Sequence, residues 1–198
     1  MNRLIPAYTW HGQLMDRLQA ERLTDGDIVI LNPDNGPCSI QDPAAANVTK
    51  GIYYAASLGA QAIGYVHLAY GDRRIEDVID DIVAWGRLGV LDVFYDECDQ
   101  YWTSATLRRL TALLYQPKHP HAIRSVFNMG TRPNNLSVAP YASLVVTYEG
   151  RGLPPAGRRP EWQAALAYDL EEPLNGADWT WGYTTKDGMP NPWDGIPT

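Results

Sequence analysis

The run GVLDVFYDE, Gly89 to Glu97, sets five apolar residues (Val90, Leu91, Val93, Phe94 and Tyr95) ahead of two adjacent carboxylates, Asp96 and Glu97. A short apolar run bounded by glycine and then by polar residues has the character of a strand buried on both faces. Burying carboxylates is costly, so a pair that ends such a strand belongs at its solvent-facing tip. In parallel α/β proteins ligands and chemistry gather at that C-terminal tip. The same two residues also fit a local role, Asp96 as a helix N-cap and Glu97 in the first turn of the helix that follows.

Working outward, strand-like and helix-like segments alternate. Leu4–Tyr8 and Asp27–Leu31 are short apolar runs, separated by a helix over Gln13–Arg22. The turn-forming Asn32-Pro-Asp-Asn-Gly-Pro37 follows the second run. Val48, Ile52 and Ala55 mark one face of a helix over Pro43–Leu58, and Gly59 is a natural stop. Ala62–Leu68 is a third strand, and Ile75, Val78, Ile79 and Ile82 share one face of the next helix. Beyond Glu97, Leu107, Leu110 and Leu114 line a helix that Pro117 ends. Ser125–Asn128, Leu144–Glu149, Gln163–Tyr168 and Thr180–Thr184 complete eight strands. With little helix between the last of them, the expectation is an α/β fold: a compact (β/α)8 TIM-type barrel, one domain over residues 1–198, with shortened helices in its C-terminal half. An open doubly wound sheet of six strands is the alternative.

A chain of 198 residues, 45% apolar, is long enough to bury a full core. Its net charge of −7 argues against nucleic acid or an anionic membrane as the main partner, and favours a neutral or cationic ligand. There is no signal-like apolar segment and no run of membrane-spanning length, so the chain is expected to be soluble. The aromatic residues are 12 Tyr and 7 Trp against 2 Phe, a balance that suits stacking on polar ligands such as sugars. No nucleotide-binding glycine motif and no metal-ligand spacing is present, so no cofactor or metal is expected. Cys38 and Cys98 each follow a strand, and a bridge between them does not follow from sequence.

Parallel strands would carry Asn32, Tyr70, Asp96, Glu97, Asn128 and Glu149 to one rim. Two acidic strand ends facing one mouth form the working pair of a glycosidase. Strand alternation predicts that Asp96 and Glu97 point to opposite sides, without settling which of them joins Glu149. Trp102 is the candidate sugar platform, and Trp85 fits packing. Trp179, Trp181 and Trp193 fit core packing or ligand stacking equally. His67, alone in its strand, fits a structural role.

At these residues the sequence resembles the spherulin-4-like family (spherulation-specific family 4). The runs that carry the likeness are ILNPDNGP (Ile30–Pro37), IGYVHLAYGDR (Ile63–Arg73), WGRLGVLDVFYDE (Trp85–Glu97), SVFNMG (Ser125–Gly130), VVTYEG (Val145–Gly150) and NPWDGIP (Asn191–Pro197). The resemblance implies a barrel hydrolase, endo-acting on α-1,4-linked galactosamine or N-acetylgalactosamine polysaccharide. It implies Asp96, Glu97 and Glu149 as catalytic acids, with Asn32, Tyr70, Arg73 and Asn128 around the substrate. Asp92 and Met129 depart from the family pattern. A carbohydrate-binding protein on the same barrel is the alternative function.

Overall fold

The computed structural model describes residues 1–9, 12–99, 106, 110, 125–133 and 139–195. Eight strands, β1 (Asn2–Ala7), β2 (Ile28–Leu31), β3 (Gln61–His67), β4 (Val93–Asp96), β5 (Ser125–Asn128), β6 (Leu144–Arg151), β7 (Gln163–Tyr168) and β8 (Trp181–Thr184), pair in sequence order. Every pairing is parallel, and β8 returns to β1 through Asn2–Trp181 and Arg3–Gly182, which closes the barrel and rules out the open sheet. Helices α1 (Leu14–Ala20), α2 (Ala45–Ser57) and α3 (Ile75–Arg87) cover the first half. The second half carries one 3-10 turn, Ala139–Tyr141, and no α-helix among the described residues beyond β5. Of the helix expected around Leu107–Leu114, only Leu110 is described, and it is fully buried.

The central strand begins later than its sequence indicates. Gly89 adopts a left-handed φ of 92°, and the amide of Val90 donates to Trp85 O at 3.0 Å, five residues back. This is a Schellman closure of α3. Val90 therefore serves the helix end, Leu91 is left half exposed, and the sheet starts at Val93. Gly59 closes α2 in the same way, with Ala60 N donating to Ala55 O.

The described strands bury nearly all their aliphatic side chains, and α3 packs on them through Val78 and Trp85. Trp85 is wholly buried and donates its Nε1 to Tyr65 O at 2.8 Å. It sits so close to β3 that a Cβ at Gly64 would fall 2.4 Å from its ring. Across the β8–β1 seam, buried Arg17 pairs with Glu21 at 2.9 Å, and the Tyr183 hydroxyl donates to the same carboxylate. Cys38 and Cys98 are free, buried thiols, so the possible bridge between them is not formed.

Candidate active site

The C-terminal ends of the strands surround a cleft of about 660 Å³ whose lining includes Tyr8, Tyr70, Asp96, Glu97, Asn128 and Glu149. Its geometry is built from backbone first. Past the strand ends the hydrogen bonding continues: Leu68 N donates to Asp96 O, Tyr70 N to Glu97 O, Cys98 N to Asn128 O, and Glu149 N to Gly130 O. The rim is therefore an extension of the sheet, and its side chains start from fixed positions. Ala69, Tyr70 and Glu97 all have left-handed φ. That conformation costs a non-glycine residue about 1 kcal/mol or more.

Two acids on different strands share one amide. Asn128 Nδ2 donates to Asp96 Oδ1 at 2.7 Å and to Glu149 Oε2 at 2.6 Å. Because both bonds start from a single nitrogen, the two oxygens can be no further apart than those bonds laid end to end. Asn128 is itself oriented: its Oδ1 accepts from Gly130 N at 2.9 Å, which assigns the amide's two ends. Asp96 takes two further donors, the Tyr65 hydroxyl on Oδ2 (2.8 Å) and the amide of Glu97 on Oδ1 (2.9 Å). An ionised carboxylate, being acceptor-only, accommodates all three.

Glu149 is partly buried. Burial, and next the charge of Asp96, push its carboxyl above the usual range. The hydrogen bonds from Asn128 and from Trp193 Nε1, the latter 2.9 Å from Oε1, pull the other way, since a donor favours the charged form. Glu97 stands apart from this pair, with its Oε2 3.1 Å from His67 Nε2. His67 lies opposite Asp96 in the β3–β4 register, which brings the imidazole to the rim.

The predicted residues thus divide. Asp96, Glu97, Glu149, Asn128 and Tyr70 line one cleft, with Tyr70 largely exposed there. The alternation expected of Asp96 and Glu97 does not operate, because the strand ends at Asp96 and Glu97 turns into the left-handed region, so both carboxylates reach the same opening. β6 also breaks strict alternation, with a register shift between Val146 and Tyr148, and still delivers Glu149 to the mouth. Asn32 lines a neighbouring cavity and fastens its own loop by accepting from Gly36 N at 2.9 Å. Arg73 does not line the cleft: its Nη1 donates to His67 O (2.7 Å) and Asp81 Oδ2 (2.8 Å), which braces β3 against α3. Trp102 lies outside the described residues.

Tyr8 and Tyr65 are not picked out as site residues by sequence, and Trp193 is read there equally as core packing or ligand stacking. Tyr8 follows β1, and its position at a strand end is the available signal. Tyr65 precedes His67 by two, on the same face of β3, and is nearly buried. Trp193 is buried, packs edge-on against Tyr168, and touches Glu149, so core packing and site membership are one role. Trp179 instead packs outside the barrel with Ala165, Ala167 and Leu174.

A parallel (β/α)8 barrel with carboxylates crowded at its C-terminal mouth is the class that this geometry defines. The chain belongs to spherulation-specific family 4, whose profile matches residues 5–168. It is 28% identical over 153 residues to spherulin-4 of Physarum polycephalum, a match covering 75% of this chain and 45% of that protein, so the chain spans about half that relative's length. Its fold is similar to the crystal structure of Aspergillus clavatus Sph3 in complex with GalNAc, with a TM-score of 0.68 and 19% identity over 98% of this chain and 92% of that one.

Proposed function

We propose that the chain is a glycoside hydrolase that cuts within polysaccharides of α-1,4-linked galactosamine or N-acetylgalactosamine, with retention at the anomeric carbon. The observation that carries this reading is the amide shared by Asp96 and Glu149. Carboxyl groups about 5 Å apart belong to retaining glycosidases, whereas roughly 6.5–9.5 Å belongs to inverting ones. Two short bonds to one nitrogen keep the facing oxygens within the retaining distance. Membership of the family, and a fold like that of a protein crystallised with GalNAc, support a sugar as ligand.

The acids have different environments and so different parts. Glu149, whose carboxyl is pushed up by burial and next by the charge of Asp96, gives its proton to the glycosidic oxygen as the bond to the anomeric carbon breaks. Asp96, held by three donors, attacks that carbon from the other side and forms a glycosyl ester. Water then attacks the same carbon; Glu149 takes its proton, and Asp96 leaves as a carboxylate. Glu97, set by His67, adds a negative charge beside the cation-like transition state.

The test is release of reducing ends from a partially deacetylated α-1,4-galactosamine polymer, with the first-formed anomer read by proton NMR. Wild type should release α-configured ends, and Asp96→Asn and Glu149→Gln should release none. Binding of the polymer without any cleavage by wild type would overturn the hydrolase in favour of a carbohydrate-binding protein. A β product would overturn retention.

A further inference from the structure

We propose that the cavity beside the cleft is a second sugar subsite built for an unacetylated, cationic amino sugar; this rests on the glycosidase reading above. The cavity measures about 430 Å³ and opens over the ends of β1 and β2, between Asn32, Asp34, Asp194 and the shared wall of Tyr8 and Asn191. Because Tyr8 and Asn191 line both spaces, cavity and cleft form one trough across the barrel mouth. Both volumes lie in the range of small-molecule sites. An enzyme that cuts inside a chain must hold sugars on both sides of the scissile bond, and this trough provides the second place.

Tyr8 stands at the junction. Its ring meets Tyr65 edge-on at 5.2 Å, which fixes it, while its hydroxyl has no hydrogen-bond partner among the described residues. That leaves the hydroxyl free to bond a sugar passing from one space to the other.

Charge selects the sugar. In the cleft, Asp96, Glu97 and Glu149 each have a donor or an imidazole against them. In the second cavity Asp34 and Asp194 are exposed, and among the described residues no Lys or Arg shares the lining and neither carboxylate has a hydrogen bond or ion pair. An acetamido group carries no charge and one N–H; an ammonium carries a full charge and three donors, matched to two free carboxylates.

The experiment measures binding by calorimetry on the Glu149→Gln background, which prevents turnover. The probes are a galactosamine tetramer and its fully N-acetylated counterpart. The free-amine tetramer should bind roughly fivefold to tenfold more tightly, as two exposed ion pairs allow. Adding Asp34→Asn and Asp194→Asn should erase that preference and leave the N-acetylated affinity unchanged; both positions are exposed, so the fold should survive. If the added substitutions change neither affinity, or weaken both equally, the subsite falls while the hydrolase stands. If neither tetramer binds and wild type releases no reducing ends from polymer, the hydrolase reading falls and the subsite with it.

Discussion

The indole Nε1 of Trp193 donates to Glu149 Oε1 at 2.9 Å, tying residues 44 apart in the chain into one cluster. The bond favours the ionised form of Glu149, so it opposes the burial that pushes the carboxyl up. Trp193→Phe keeps most of the packing and removes the donor. The carboxyl should then titrate higher, so the alkaline limb of the pH–rate profile, where the protonated acid is lost, should move to higher pH. With the acid less well aimed, kcat/KM at the optimum should fall roughly twofold to tenfold, the loss of one hydrogen bond to the protonated acid. A profile that moves to lower pH would contradict the assignment of Glu149 as acid.

Asn128 holds both acids, and its loss should act on both. Asn128→Ala removes the shared donor and the bond to Gly130 N together. Activity should fall at least about thirtyfold, since ionised Asp96 loses a bond worth about 1.5–3 kcal/mol and protonated Glu149 a neutral one worth about 0.5–1.5 kcal/mol. Thermal unfolding followed by circular dichroism should still show a cooperative fold. An active Asn128→Ala enzyme would mean that the acids are positioned by other groups.

Arg73 separates a motif-based expectation from a geometric one. The resemblance puts it beside the substrate, whereas its guanidinium joins the His67 carbonyl to Asp81 on α3. Arg73→Met should therefore leave the KM for polymer within about twofold and lower the melting temperature by a few degrees, as roughly 1 kcal/mol does in a chain of this size. A large rise in KM with unchanged stability would return Arg73 to the substrate site.

Much of the barrel was legible because buried parallel strands are written as continuous apolar runs, and all eight lie where those runs fall. The placement of acids at strand ends followed from topology alone. What was hidden depended on partners remote in sequence. Val90 has the same apolar character whether it serves a strand or a helix closure, and only the Trp85 carbonyl decides. Tyr65 looks like any core tyrosine until Asp96 accepts from its hydroxyl. No periodicity links Trp193 to Glu149, because the segment that brings it back has no regular structure. Strand alternation misled at Glu97, where one left-handed residue redirects the side chain.

Gly64 tests the scaffold under the site. It lies on β3 three residues before His67, and its missing side chain makes room for Trp85, whose Nε1 reaches the backbone carbonyl of Tyr65, the residue whose hydroxyl holds Asp96. A methyl group there would meet the indole at 2.4 Å, closer than any real contact, and Trp85 is wholly buried. In a close-packed interior the ring has nowhere to retreat. Gly64→Ala should destabilise the protein by about 1–3 kcal/mol, lowering the melting temperature by roughly 2–12 °C. The cause is testable by pairing. Trp85→Leu alone should also destabilise, through the cavity and the lost hydrogen bond, but in that background Gly64→Ala should cost little, because the ring it strikes is gone. Additive losses in the double variant would show that the glycine is needed for something other than this contact.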